Sequence, residues 1–306
     1  MSAPLELHPD RLFPADLGTR AIARRLYAGV KDLPIVSPHG HTQPQWYADD
    51  TPFPDPSTLF IIPDHYVFRM LYSQGVKMED LGVPRIDGGP VETDKRAIWR
   101  RFAANTHLLR GTPSSMWLAH AFHHVLGIRE RLTSENADRL YDLIQAKLDT
   151  PEFRPRALFE RFNIEVLSTT ETPLDDLRHH RKIRESGWSG RVITAFRPDV
   201  VVDPDYIGFH DNVAELGRIT GEDTATWTGY LAALADRRRY FIEVGGATST
   251  DHGHPTAKTA DLAREDAAAL FARVIGGSAD ATEIELFRAQ MLTEMAKMSV
   301  VDGLVM

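Results

Sequence analysis

Apolar residues recur at helical spacing early in the chain, where Ala21, Ile22, Leu26 and Val30 form one stripe and predict a helix over residues 19–30. A short apolar run at 33–37 then predicts a strand, and it ends on Pro38-His39-Gly40-His41. A proline-rich loop follows at 51–63, and from 64 to about 161 the pattern is mainly helical. Its clearest stretch is 134–148, with Ser134 as the expected cap and Ala137, Leu140, Tyr141, Ile144 and Leu148 along one face.

The rhythm then changes. Residues 164–170 predict a strand, Thr172-Pro173 a helix start with Asp175 and Asp176 in its first turn, and Gly187 to Gly190 a stop. The next strand is expected at 192–196, close to the roughly 30-residue spacing of one βαβ unit. Helices are expected near 209–219 and 224–236, a strand at 240–244, two further helices, and a strand beginning at 300–306. Strands alternating with helices predict an α/β fold with a mainly parallel sheet, whose ligand groups gather at the carboxyl ends of strands. Polar residues do follow those ends: His39 and His41, Thr169 to Glu171, Arg197, and Asp251 to His254. That placement points to an enzyme.

Composition narrows the class. The 306 residues are 42% hydrophobic and 25% charged, with a mean hydropathy of -0.29, enough apolar material for a sizeable core. A formal net charge of -8 and no clustered basic face argue against nucleic acid or a membrane surface as partner. The Arg237-Arg238-Arg239 run is read as the end of a helix, where cations suit the dipole. No run approaches the roughly 18 apolar residues of a membrane span. Cysteine is absent, so a metal would have to rest on His, Asp or Glu. A cytoplasmic location fits this usage.

Two histidines at i and i+2, leaving a strand with only Gly40 between them, can turn both rings toward one ion. Simpler readings stand beside the functional ones. Arg197, held extended before Pro198, could pair with Asp199 or Asp203. His65 and Tyr66 could cap a helix or pack in the core, and Asp251 and His252 could mark a helix start before Pro255. His252 and His254 form a second His-x-His. His120 and His124 lack the glutamate of a zincin helix and read as packing or surface residues, and His179 and His180 as dipole partners late in a helix.

The His39-Gly40-His41 motif resembles the His-x-His that opens the metal-dependent amidohydrolase superfamily, and four further segments resemble the uronate isomerases within it. Asp64-His65-Tyr66-Val67-Phe68-Arg69 is similar to that family's Asp-His-Tyr-x-Trp-Arg, and Thr169-Thr170-Glu171-Thr172-Pro173-Leu174-Asp175 to its Thr-Thr-Asp-Asp-Pro strand end. Phe196-Arg197-Pro198-Asp199 resembles its Trp-Arg-Pro-Asp turn, and Thr250-Asp251-His252 its Ser-Asp-His. The five occur in the family's order across nearly the whole chain.

The resemblance implies a (β/α)8 barrel of amidohydrolase type, as one domain over 1–306 with a helical insertion at about 64–161. It implies aldose–ketose isomerisation, D-glucuronate to D-fructuronate and D-galacturonate to D-tagaturonate, by C2–C1 proton transfer in hexuronate catabolism. His39 and His41 would be metal ligands, for a divalent ion such as zinc. His65, Tyr66 and Arg197 would bind substrate, and these three with Asp251 would form the catalytic set. The partner would be a small sugar acid, with a homo-oligomer compatible. Only five of eight strands are expected, which implies a chain cut short by roughly 100 or more residues. Two other readings stay open: a hydrolase of the same superfamily, and an inactive fragment or sugar-acid-binding module.

Overall fold

The computed structural model describes residues 4–306. By its contacts the chain divides into two compact units, residues 1–33 with 51–158 and residues 34–50 with 159–306, where the sequence was read as one domain with an insertion. Among the described residues no helix is long and apolar enough to cross a membrane.

The first unit is helical. Trp99 is its fully buried centre, on the helix Lys95–Asn105, with its ring 5.6 Å from Phe102 and 6.1 Å from Tyr141. The indole N–H donates to the Ala137 carbonyl at 2.9 Å, which removes the cost of burying that donor. Ala137, Leu140, Tyr141, Ile144 and Leu148 do form one buried face, on the helix Ala137–Leu148. The expected cap does not hold: the helix starts after Asn136, whose side-chain oxygen accepts from Thr133 N–H, so Ser134 lies in the preceding turn. The first helix, Leu17–Ala28, is capped by Asp16 and buries no residue.

The second unit is an α/β layer. A parallel three-stranded sheet runs β1 (Ile35–Ser37), β2 (Ile164–Glu171) and β3 (Arg191–Phe196) in spatial order. Two single bridges extend it, Phe196 to Thr250 and Ser249 to Val305, both parallel. Their bonds run from Phe196 N to Ser249 O and from Asp251 N to Phe196 O, then from Thr250 N to Val305 O, at 2.8–3.1 Å. The helices Arg178–Glu185 and Trp227–Gly245 pack against β3. The larger core gathers Phe196, Phe209, Tyr230, Phe241, Phe271, Phe287 and Met291; each fully buried apolar side chain of this size contributes about 1.5–3 kcal/mol.

Three expectations are corrected here. Residues 240–244 are not a strand but the last turns of the 19-residue helix Trp227–Gly245, which buries Tyr230, Leu234, Arg238 and Phe241 and stops where Gly246 takes a left-handed conformation. The fourth strand position moves to Thr248–Thr250. Consequently Arg237 and Arg238 are buried within the helix, and only Arg239 of the triplet is exposed. The helix expected at Thr172-Pro173 begins at Arg178, because Asp175 and Asp176 bond the backbone N–H groups of Leu177 and Arg178 instead. Finally, Val300 and Val301 belong to the helix Ala281–Asp302, so only Val305 joins the ladder.

Candidate functional site

The parallel ladder sets the site. Consecutive strands end side by side, so the residues after β1, β2, β3 and Thr250 become neighbours although far apart in sequence. Arg197 is held by its N–H to Glu171 O at 3.0 Å, and Asp251 by its N–H to Phe196 O at 3.0 Å. Arg197 Nη1 then meets Asp251 Oδ2 at 3.1 Å. His39 Nδ1 lies 3.8 Å from the same oxygen.

After β1 the chain runs close to β2: a Cβ on Gly40 would come within 3.4 Å of Ser168 O, and Thr170 Oγ1 donates to Gly40 O at 3.0 Å. The two exposed rings flanking that glycine converge, with His39 Nε2 and His41 Nε2 3.1 Å apart. Two nitrogens bound to one tetrahedral zinc at 2.0–2.1 Å would sit about 3.3 Å apart, so the pair suits two ligands of a shared ion. Among the described residues no group of three or more His, Cys, Asp or Glu is arranged to hold a metal.

Arg197 also pairs with Asp199, Nε to Oδ2 at 2.6 Å, as the simpler reading of that arginine required. Partial burial opposes its charge, but Asp199 and Asp251 outweigh that and raise its pKa above the ordinary arginine value. Asp199 Oδ1 accepts from Gly253 N at 2.9 Å, tying the 251–254 loop onto the pair. A Cβ at Gly253 would fall 2.6 Å from Asp199 Oδ2 and 2.8 Å from Arg197 Nη2, so only glycine lets the loop approach this closely. His252 bonds Thr250 Oγ1 through Nε2 at 2.8 Å, and burial pushes its pKa down to about 4.

His65 and Tyr66 lie in the other unit. They open the helix His65–Tyr72, capped by Asp64, which accepts from Tyr66 N at 2.8 Å. Val67 and Leu71 are buried and leave both rings exposed, with centroids 4.2 Å apart, so neither packs in the core. Trp117 stands edge-on to Tyr66 at 6.3 Å.

The sequence reading missed a buried polar knot beneath the site. Thr169 Oγ1 donates to Glu171 Oε2 at 2.6 Å and meets His180 Nε2 at 2.9 Å, and Thr194 Oγ1 bonds the same carboxylate oxygen. Burial pushes the Glu171 carboxyl up, although the hydroxyls of Thr169 and Thr194 favour its charge. Burial likewise pushes His180 down to about 4. His180 is thus a core residue near the start of its helix, not a dipole partner at its end. Thr170 was read among the polar residues at a strand end and within the Thr169–Asp175 segment, and Asp199 as a partner for Arg197. Neither was given a role of its own at the site, and threonine is common in strands, so residue type alone assigned Thr170 none.

A family model for glucuronate isomerase matches residues 15–306. The chain is 60% identical over 306 residues to the uronate isomerase of Phenylobacterium zucineum, covering all of this chain and 63% of that protein. It is 62% identical over 300 residues to that of Rhizobium meliloti, covering 98% and 64%. Its structure is similar to a crystal structure of glucuronate isomerase from Caulobacter crescentus, with a TM-score of 0.95, 55% identity, and coverage of 99% of this chain and 63% of that one. A uronate isomerase structure from Thermotoga maritima matches with a TM-score of 0.81 and 28% identity over 91% of this chain and 59% of that one. The chain thus spans a little under two thirds of the length of these relatives. On the match of the family model to nearly its whole length, the chain belongs to the glucuronate isomerase family.

Proposed function

We propose that this chain carries the first metal ligands and part of the substrate site of an aldose–ketose isomerase acting on D-glucuronate and D-galacturonate, to give D-fructuronate and D-tagaturonate. One arrangement carries the reading: convergent His39 and His41 at one strand end, beside the Asp251–Arg197 pair at the ends of the third and fourth strand positions. The names of the relatives favour isomerisation over hydrolysis.

Arg197 keeps its charge at any working pH, and its planar fork suits the sugar-acid carboxylate. Asp251, ion-paired yet beside His39, is placed to accept or orient a proton as it passes between C2 and C1 through an enediol(ate). His65 and Tyr66, both exposed, offer hydrogen bonds to substrate hydroxyls. His39 and His41 would hold a divalent ion, zinc in this reading, which polarises a substrate oxygen when bound. The five parallel positions correspond to an arc of a (β/α)8 barrel of amidohydrolase type, and the enzyme would work in cytoplasmic hexuronate catabolism.

The test is isomerase activity on both uronates with zinc present, for this chain and for a form carrying the additional length of its relatives. Turnover by the longer form, lost in Arg197→Met with the fold retained, supports the reading. Hydrolysis without isomerisation, or unchanged kinetics in Arg197→Met, overturns it.

A further inference from the structure

We infer that Thr170 is a positioning residue for His39: its hydroxyl, together with the Asp251 carboxylate, keeps the ring proton on Nδ1 and leaves the Nε2 lone pair facing His41. The inference rests on the metal reading above, and it concerns a residue outside the expected catalytic set.

A neutral imidazole carries one proton, and the partner of each nitrogen decides where it sits. His39 Nδ1 faces two oxygens, Thr170 Oγ1 at 3.5 Å and Asp251 Oδ2 at 3.8 Å. The Thr170 hydroxyl hydrogen is already committed to Gly40 O at 3.0 Å, so toward His39 the oxygen can only accept. Asp251 Oδ2 lies 3.1 Å from Arg197 Nη1 in an ion pair, and as a carboxylate oxygen facing a cation it too can only accept from His39. Both neighbours therefore favour Nδ1–H. His39 Nε2 is then unprotonated where it stands 3.1 Å from His41 Nε2, the state a metal ligand requires.

One hydroxyl performs two tasks. It holds the carbonyl of Gly40, the residue between the two histidines, and it sets the tautomer of the first. Ligating histidines in general give their other N–H to an oxygen in this way, and losing that oxygen weakens metal binding by about 10–100-fold.

The experiment is long-range proton–nitrogen NMR of the 15N-labelled 306-residue chain at pH 8, with the His39 signals assigned from a His39→Gln spectrum. The expected wild-type pattern is a protonated Nδ1 and a lone-pair-bearing Nε2. Thr170→Ser should retain it. Thr170→Val should move the proton toward Nε2 and raise the zinc dissociation constant about tenfold or more, with circular dichroism unchanged. A wild-type His39 protonated on Nε2 overturns the inference without any variant, which covers the case of a valine variant that fails to fold. So does a folded Thr170→Val with the wild-type tautomer and zinc affinity. A wild-type chain that binds no zinc would count against the metal reading, while the tautomer would still decide the role of Thr170.

Discussion

Replacing Asp302 by alanine strands a buried cation, and the cost can be worked from the contacts. Arg238, its side chain 1% exposed, gives Nε to Asp302 Oδ2 at 2.5 Å and Nη2 to Oδ1 at 2.9 Å. Nη2 also reaches Ser299 Oγ at 2.9 Å, and Cζ lies 5.7 Å from the Phe196 ring centroid. Removing one partner of a buried ion pair costs about 3–5 kcal/mol. With the guanidinium left fully enclosed, Asp302→Ala should cost about 4 kcal/mol. Arg238→Met should cost less, about 2 kcal/mol, because Asp302 is 20% exposed and keeps the Leu304 N–H at 3.1 Å. The double change Arg238→Met with Asp302→Leu should recover most of the loss, since apolar replacements remove both charges. Urea unfolding followed by tryptophan fluorescence measures the totals. Hydrogen exchange in the helices Trp227–Gly245 and Ala281–Asp302 localises them, which matters for a chain of two units. A cost below about 1 kcal/mol for Asp302→Ala, or Arg238→Met proving the more damaging, would refute the reasoning. Acid should act in the same direction. Burial disfavours the charge of Asp302, but the bonds from Arg238 and Leu304 N–H still hold its carboxyl below the usual value, so the pair's contribution is present above about pH 4 and lost as pH falls further.

Three further outcomes are expected. His180, with a folded pKa of about 4, resists protonation that the unfolded chain accepts near pH 6.5, so stability should fall as pH drops through that window. The loss from this residue should be about 2 kcal/mol at pH 5, offset in the carboxylate range by Glu171, whose raised pKa acts in the opposite sense; urea midpoints of wild type and His180→Asn between pH 7.5 and 5 measure it, and equal slopes would contradict it. Gly253→Ala should push Arg197 and Asp199 apart and cost about 1–3 kcal/mol, with kcat/KM for uronates falling in the longer form; an unchanged melting temperature and unchanged kinetics would show that the loop can shift freely. Asp280→Ala removes a capping box in which Asp280 accepts from Glu283 N at 2.9 Å and Glu283 Oε2 accepts from Asp280 N at 3.2 Å, for about 1 kcal/mol by urea unfolding.

What the sequence made legible was whatever depends on backbone position alone. Arg197 and Asp251 follow their strand positions directly, and His39 and His41 lie within four residues of the end of β1. Parallel strands bring their carboxyl ends together whatever packs outside, so the cluster could be named before any contact was seen. What failed depends on which face of an element turns inward. Reading residues 240–244 as a strand and the three arginines as a helix end was a single error. The β-branched and aromatic run suggested a strand, so the helix had to stop at Arg239 and its cations had to be terminal. Once the helix runs on to Gly245, Leu234, Arg238, Phe241 and Gly245 fall on the face of Tyr230, and Arg238 has to enter the core. It can do so only because Asp302, 64 positions away, meets it there. His180 has the same origin. Leu177 in a left-handed conformation sets the rotation of the following helix, and that rotation carries His180 onto the hydroxyl of Thr169. Neither partner is visible in a local pattern, because burying a polar group is settled by a contact distant in sequence, while the pattern of apolar residues records only which positions avoid water.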